Sequence, residues 1–140
     1  MQSIEKFYPN ILQYKLENVL FEVKGLLSNL PSLNDEVLFK IEFILEEFIT
    51  NSFSHLDLSH NCVDIRIKLH LKEFEIEYEE IGVDDLNFAQ ILLRGQEKNL
   101  NPSLEQPGGL GLNLIQQISK KIEYSYNKNT RTRCFKVQFL

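Results

Sequence analysis

The sequence predicts an α+β fold, a two-layer α/β sandwich in which a mixed, largely antiparallel sheet carries helices on one face. Three observations point there. Two amphipathic stretches with helical spacing occupy most of the first 58 residues, and two segments of alternating apolar and polar residues follow, joined by a two-residue turn. A Gly-rich run then opens another amphipathic stretch, and two further alternating segments close the chain.

Residues 4–8 read as a short edge strand. Pro9 and Asn10 open the first helical stretch, in which Ile11, Leu12, Leu16, Val19, Leu20, Val23, Leu26 and Leu27 recur on one side until Asn29, Leu30 and Pro31 break it. Asn34 is placed to cap a second helix with apolar members Val37, Ile41, Ile44, Leu45, Phe48 and Ile49, ending near Leu58. Residues 63–71 and 74–80 alternate as half-buried strands should, with Lys72 and Glu73 as the turn. A short helix is expected over 86–93, and residues 94–107, polar and carrying two prolines, read as a loop. The last helix starts after Gly108–Gly111 with Leu112, Leu114, Ile115 and Ile118, and strands follow at 122–126 and 134–139.

A chain of 140 residues falls within the usual size of one domain, so a single unit spanning 1–140 is expected. The formal net charge of −5 opposes a general nucleic-acid or anionic-membrane binder, which needs a positive field to displace counterions. No apolar run approaches the length of a membrane span and the first ten residues lack the pattern of a signal peptide, so the expected location is the cytoplasm. Cys62 and Cys134 lack zinc-site spacing and read as reduced thiols in or beside strands, filling space as small core residues.

Three segments can carry chemistry. On the second helix, Glu47 and Asn51 lie four apart and stack along one border of the buried side, while Glu46 points away. A carboxylate able to take a proton from an attacking hydroxyl, one turn from an amide oxygen able to ligate Mg²⁺, suits phosphoryl transfer. The same letters also describe solvated neighbours. His55, a further turn along and near the core face, reads as a satisfied structural histidine. In Gly108-Gly109-Leu110-Gly111-Leu112, glycines let backbone approach a phosphate, and the helix start supplies free N–H groups. It is neither a Rossmann fingerprint nor a Walker A loop, and a ligand-free hinge would have similar letters. Glu80, leaving a strand just before Gly82, can accept from an exocyclic amine such as that of adenine, although an acidic residue before a turn glycine is common.

Taken in chain order, these segments resemble the GHKL (Bergerat-fold) ATPases: residues 47–55 look like the N-box, 80–82 the first glycine box and 108–112 the second. With a brief lid over 94–107, the chain is similar to the anti-sigma-factor serine/threonine kinase branch. That resemblance implies Glu47 as general base, Asn51 as the Mg²⁺ ligand, Glu80 and Gly82 against adenine, and Gly108, Gly109, Leu110, Gly111 and Leu112 at the nucleotide, with Gly109 and Gly111 bounding the triphosphate. It implies ATP and Mg as cofactors, an STAS-type anti-sigma-factor antagonist as substrate, a sigma factor as second partner, and a homodimer. Phosphorylation adds roughly −1.5 to −2 charges to the antagonist and discourages its rebinding.

The chain departs from the family at named places. Glu80 stands where Asp is usual, Val83-Asp84-Asp85-Leu86 replaces the usual Phe-Asp, Phe48 follows Glu47 where a small residue is usual, and no Arg precedes Arg66. Lys15 or Lys24 is left to grip partners, without the planar fork of Arg. The alternative reading is a non-catalytic, nucleotide-regulated module that captures a regulator. The ATP-binding half of a sensor histidine kinase is disfavoured, since no helical pair bearing a phosphoacceptor His precedes the domain.

Overall fold

The structure, a computed structural model, describes residues 3–30, 33–55, 62–86 and 110–140. The elements run β1 (Ser3–Tyr8), a 3-10 turn (Ile11–Gln13), α1 (Leu16–Ser28), α2 (Asp35–His55), β2 (Asp64–His70), β3 (Glu75–Ile81), α3 (Leu110–Ile118), β4 (Lys121–Asn127) and β5 (Thr132–Gln138). The short helix expected over 86–93 and the loop over 94–107 lie outside the described residues, apart from Leu86.

Period-two alternation builds the sheet. In β2, Ile65, Ile67 and Leu69 are buried, in β3 Ile76, Tyr78 and Glu80, and in β5 Phe135 and Val137, while the residues between them face the other way. The strand order is β1-β2-β3-β5-β4, and every pairing among the described strands is antiparallel, the limiting case of the largely antiparallel sheet expected. β1 lies at one edge, in keeping with the short edge strand expected over residues 4–8.

The helices cover one face. Seven residues of α2 are buried, from Val37 to Ser52 at helical spacing, and Phe48 is the central wedge. Its ring stacks on Tyr78 at 5.1 Å between centroids and meets Phe135 at 5.0 Å, so the bulky residue after Glu47 serves the core. Asn34 caps α2, its Oδ1 accepting from the backbone N–H of Val37 at 2.9 Å, and Asp35 and Glu36 face the positive end of the helix dipole. α1 packs on α2, α3 contacts both α2 and β4, and Val19, Val23 and Leu27 turn the buried stripe of α1 inward. Among the described residues no helix is long and apolar enough to cross a membrane.

Some expectations change. The first helical stretch is split, because Asn10 adopts a left-handed conformation (φ 47°) and Tyr14 is extended. The N–H of Ile11 donates to the Val63 carbonyl and that of Asn10 to Asp64 Oδ1, so the 3-10 turn is tied to the entrance of β2 and cannot continue into α1. Cys62 is exposed and Cys134 half-buried on the helix-free face, so neither fills the core. There, burial and the Glu79 and Glu77 carboxylates push the Cys134 thiol up to about 11, away from reactivity. His55 is exposed rather than packed, because Ser52 is the last fully buried residue of α2; the expected helix end near Leu58 lies outside the described residues.

Candidate functional site

Helical periodicity places Glu47 and Asn51 one turn apart at the border of the buried stripe of α2, and both are half-buried; Glu46 is exposed, as the helical angle requires. Partial burial raises the Glu47 carboxyl above its ordinary value, and the neighbouring Glu46 adds to the effect. A carboxylate so tuned holds a proton more readily than a solvated one, which is what a general base needs. α3 packs against α2, so the helix that Leu110 opens and the Glu47–Asn51 border belong to the same layer. Gly108 and Gly109 lie outside the described residues. Leu110 and Gly111 are in the first turn of α3 and Leu112 is buried.

Beneath α2 the sheet presents a charged network on its apolar side. Glu80 is 7% exposed, on the same parity of β3 as Ile76 and Tyr78. The Ser52 hydroxyl donates to Glu80 Oε2 at 2.7 Å, and Arg133 Nη1 donates to Oε1 at 3.3 Å. Glu80 and Arg133 are direct cross-strand partners in the β3–β5 register, with side chains 9% and 12% exposed. Ser52 has one proton and gives it to Glu80, so the Tyr78 hydroxyl, 2.7 Å from Ser52 Oγ, is the donor in that contact. Burial and the Glu80 charge push the Tyr78 phenol far up, which keeps that donor in place. Arg133 is further tethered where its Nε donates to the Asp84 carbonyl.

Gly82 has a backbone reason of its own. Its φ is 94°, and a Cβ there would lie 2.6 Å from the Cys62 carbonyl oxygen, so a side chain is excluded by conformation and by space. The chain entering β2 therefore covers the place where a Cβ would point. Residues 83–86, which depart from the family's usual letters, are fastened to the β4–β5 hairpin. Tyr126 donates to the Val83 carbonyl at 2.7 Å, Tyr124 to Asp85 Oδ1 at 2.6 Å, and Arg131 Nη2 to Asp84 Oδ1 at 2.9 Å. The two aspartates are used as anchors. The Asp85 carboxylate also helps raise the Tyr124 phenol to about 12, behind the larger effect of burial.

Sequence reasoning did not single out Ser52, Tyr78 or Arg133. Arg133 shares the parity of Phe135 and Val137, and Glu80 that of Ile76 and Tyr78, so two inward-facing charges on neighbouring strands were the available signal. A groove of about 560 Å³ bordered by Arg66, Glu79, Ser125 and Cys134 opens on the helix-free face and is separate from this network.

The donor set fits Mg-ATP. Glu47 and Asn51 offer hard oxygens to a divalent cation, and Glu80 keeps lone pairs for an amine even with Ser52 and Arg133 in place.

An antiparallel five-stranded sheet backed on one face by helices, with Glu47 and Asn51 on the border of α2 and the Glu80 carboxylate turned inward beneath it, is an α+β sandwich. The model of the histidine kinase-like ATPase domain family matches residues 12–136, and the chain belongs to that family, within the GHKL ATPases. Comparison with curated proteins finds no match.

Proposed function

We infer that the chain is an ATP-dependent serine/threonine kinase of the anti-sigma-factor type. In this reading residues 1–140 form one ATP-binding unit in the cytoplasm, which phosphorylates an STAS-type antagonist, sequesters a sigma factor and acts as a homodimer. The observation that carries the catalytic part is the half-buried Glu47, raised by its surroundings and one helical turn from Asn51. Glu47 takes the proton of the attacking serine or threonine hydroxyl as its oxygen bonds to the γ-phosphorus and the bridging bond to ADP breaks. Asn51 would hold Mg²⁺, which when bound offsets the charge of the phosphates. Glu80 would accept from the adenine amine, and the backbone around Gly108 to Leu112 would donate to the phosphates.

The test is transfer of labelled γ-phosphate from ATP to a cognate STAS protein, comparing the natural chain with Glu47→Ala. A loss of at least ~100-fold is expected for the variant, the usual scale for removing a general base. Equal transfer by both removes Glu47 from the mechanism.

A second reading, a non-catalytic module whose nucleotide only shapes a protein-binding surface, is favoured by one observation: the Glu80 carboxylate is already held by Ser52 and Arg133. Calorimetry with Mg-ATP beside the transfer assay separates the two, since binding without turnover supports the module.

A further inference from the structure

The position expected to meet the base holds two groups, not one. Glu80 reaches the helix-covered side of β3 with Arg133 directly across on β5, and the carboxylate Oε1 and guanidinium Nη1 lie 3.3 Å apart. Each is held by a second contact. Ser52 holds the other carboxylate oxygen, and the Asp84 carbonyl accepts from Arg133 Nε. This leaves Arg133 Nη2, for which no described residue supplies an acceptor, on a side chain only 12% exposed. A guanidinium is a rigid planar fork with five donors, so holding two of its nitrogens fixes the direction of the third.

The geometry points to Arg133 as a second base-reading residue, standing beside Glu80 so that the pair presents an acceptor and a donor together to the Watson–Crick edge of adenine. That edge offers the complementary order, an N6 amine that donates and an N1 that accepts. Glu80 takes the amine and Arg133 Nη2 donates to N1. Hypoxanthine reverses both signs, with an O6 acceptor and an N1–H donor, and faces the carboxylate with an oxygen and the guanidinium with a proton. A site built to satisfy hydrogen-bonding groups discriminates strongly against a ligand that leaves them unpaired. This inference rests on the nucleotide reading of the site and adds to it the residue that sets the choice of base.

The experiment uses the natural chain and three probes, Mg-ATP, Mg-ITP and the Mg complex of 1-deaza-ATP, which lacks only the N1 acceptor, with affinities measured by calorimetry. The expected result is ~10-fold weaker binding of 1-deaza-ATP than of ATP and weaker binding still of ITP. Arg133→Lys, which keeps the charge beside Glu80 but removes the fork, is expected to bind ATP and 1-deaza-ATP equally, with its melting temperature checked without nucleotide. Equal binding of ATP and 1-deaza-ATP by the natural chain overturns the role of Arg133 alone. Failure of ATP itself to bind overturns the nucleotide reading and this inference with it.

Discussion

Glu47 sits where a carboxyl group is neither freely solvated nor enclosed, and both its partial burial and the neighbouring Glu46 favour the protonated form. The folded chain therefore binds that proton more tightly than the unfolded chain. The favourable term is present below the ordinary glutamate value and is lost as pH rises through the raised one. Glu47→Gln removes this loss. Its unfolding free energy from urea titration is expected to match that of the natural chain at the acid end and to exceed it modestly at pH 7, by less than about 1 kcal/mol because water screens a half-exposed group. A flat difference across that range would count against the assigned titration. The border position of Glu47 and Asn51 was legible from helical spacing alone, because 100° per residue fixes which side chains flank an apolar stripe. The placement of Phe48 was legible for the same reason, whereas its role between Tyr78 and Phe135 was not, since spacing says nothing about what lies across the interface.

At the scale of elements, α2 combines a local start signal with a tertiary wedge. The Asn34 cap satisfies a donor that no residue inside the helix can reach, and Asn34→Ala is expected to cost about 1 kcal/mol. Phe48→Ala removes a ring packed between two aromatic strand residues and is expected to cost about 3–5 kcal/mol. Chemical denaturation of the two variants should rank them in that order; the reverse order would mean that α2 is held by its own propensity and not by the sheet. The break between the 3-10 turn and α1 was hidden in the sequence because Ile11 and Leu12 continue the apolar period. What interrupts the helix is a pair of backbone donors committed to Val63 and Asp64, over 50 residues away. His55 shows the converse: periodicity extends past the end of the surface that the helix covers.

For the whole molecule, the alternating strands and the helical stripes were readable because one face of each must be apolar. The order β1-β2-β3-β5-β4 was not, since alternation does not name a strand's neighbour. The candidate site is partly legible for the same reason: Glu80 is visible as an inward acid, and its partner becomes visible only when β5 is set beside β3. Breaking a buried pair from one side strands the other charge. Glu80→Met and Arg133→Met are each expected to destabilise by about 3–5 kcal/mol, and the double variant by clearly less than their sum. A melting series on the three variants checks this, and additivity would show that the two charges do not rely on each other.

The opposed charges on β3 and β5 also govern how the chain aligns as it folds. A slip of one residue between these strands would turn Arg133 out to the open face and leave Glu80 under α2 without a counter-ion, an error that apolar neighbours would not detect so sharply. Across descendants of this chain, the acid and the base at these two places should accordingly be inherited or abandoned together.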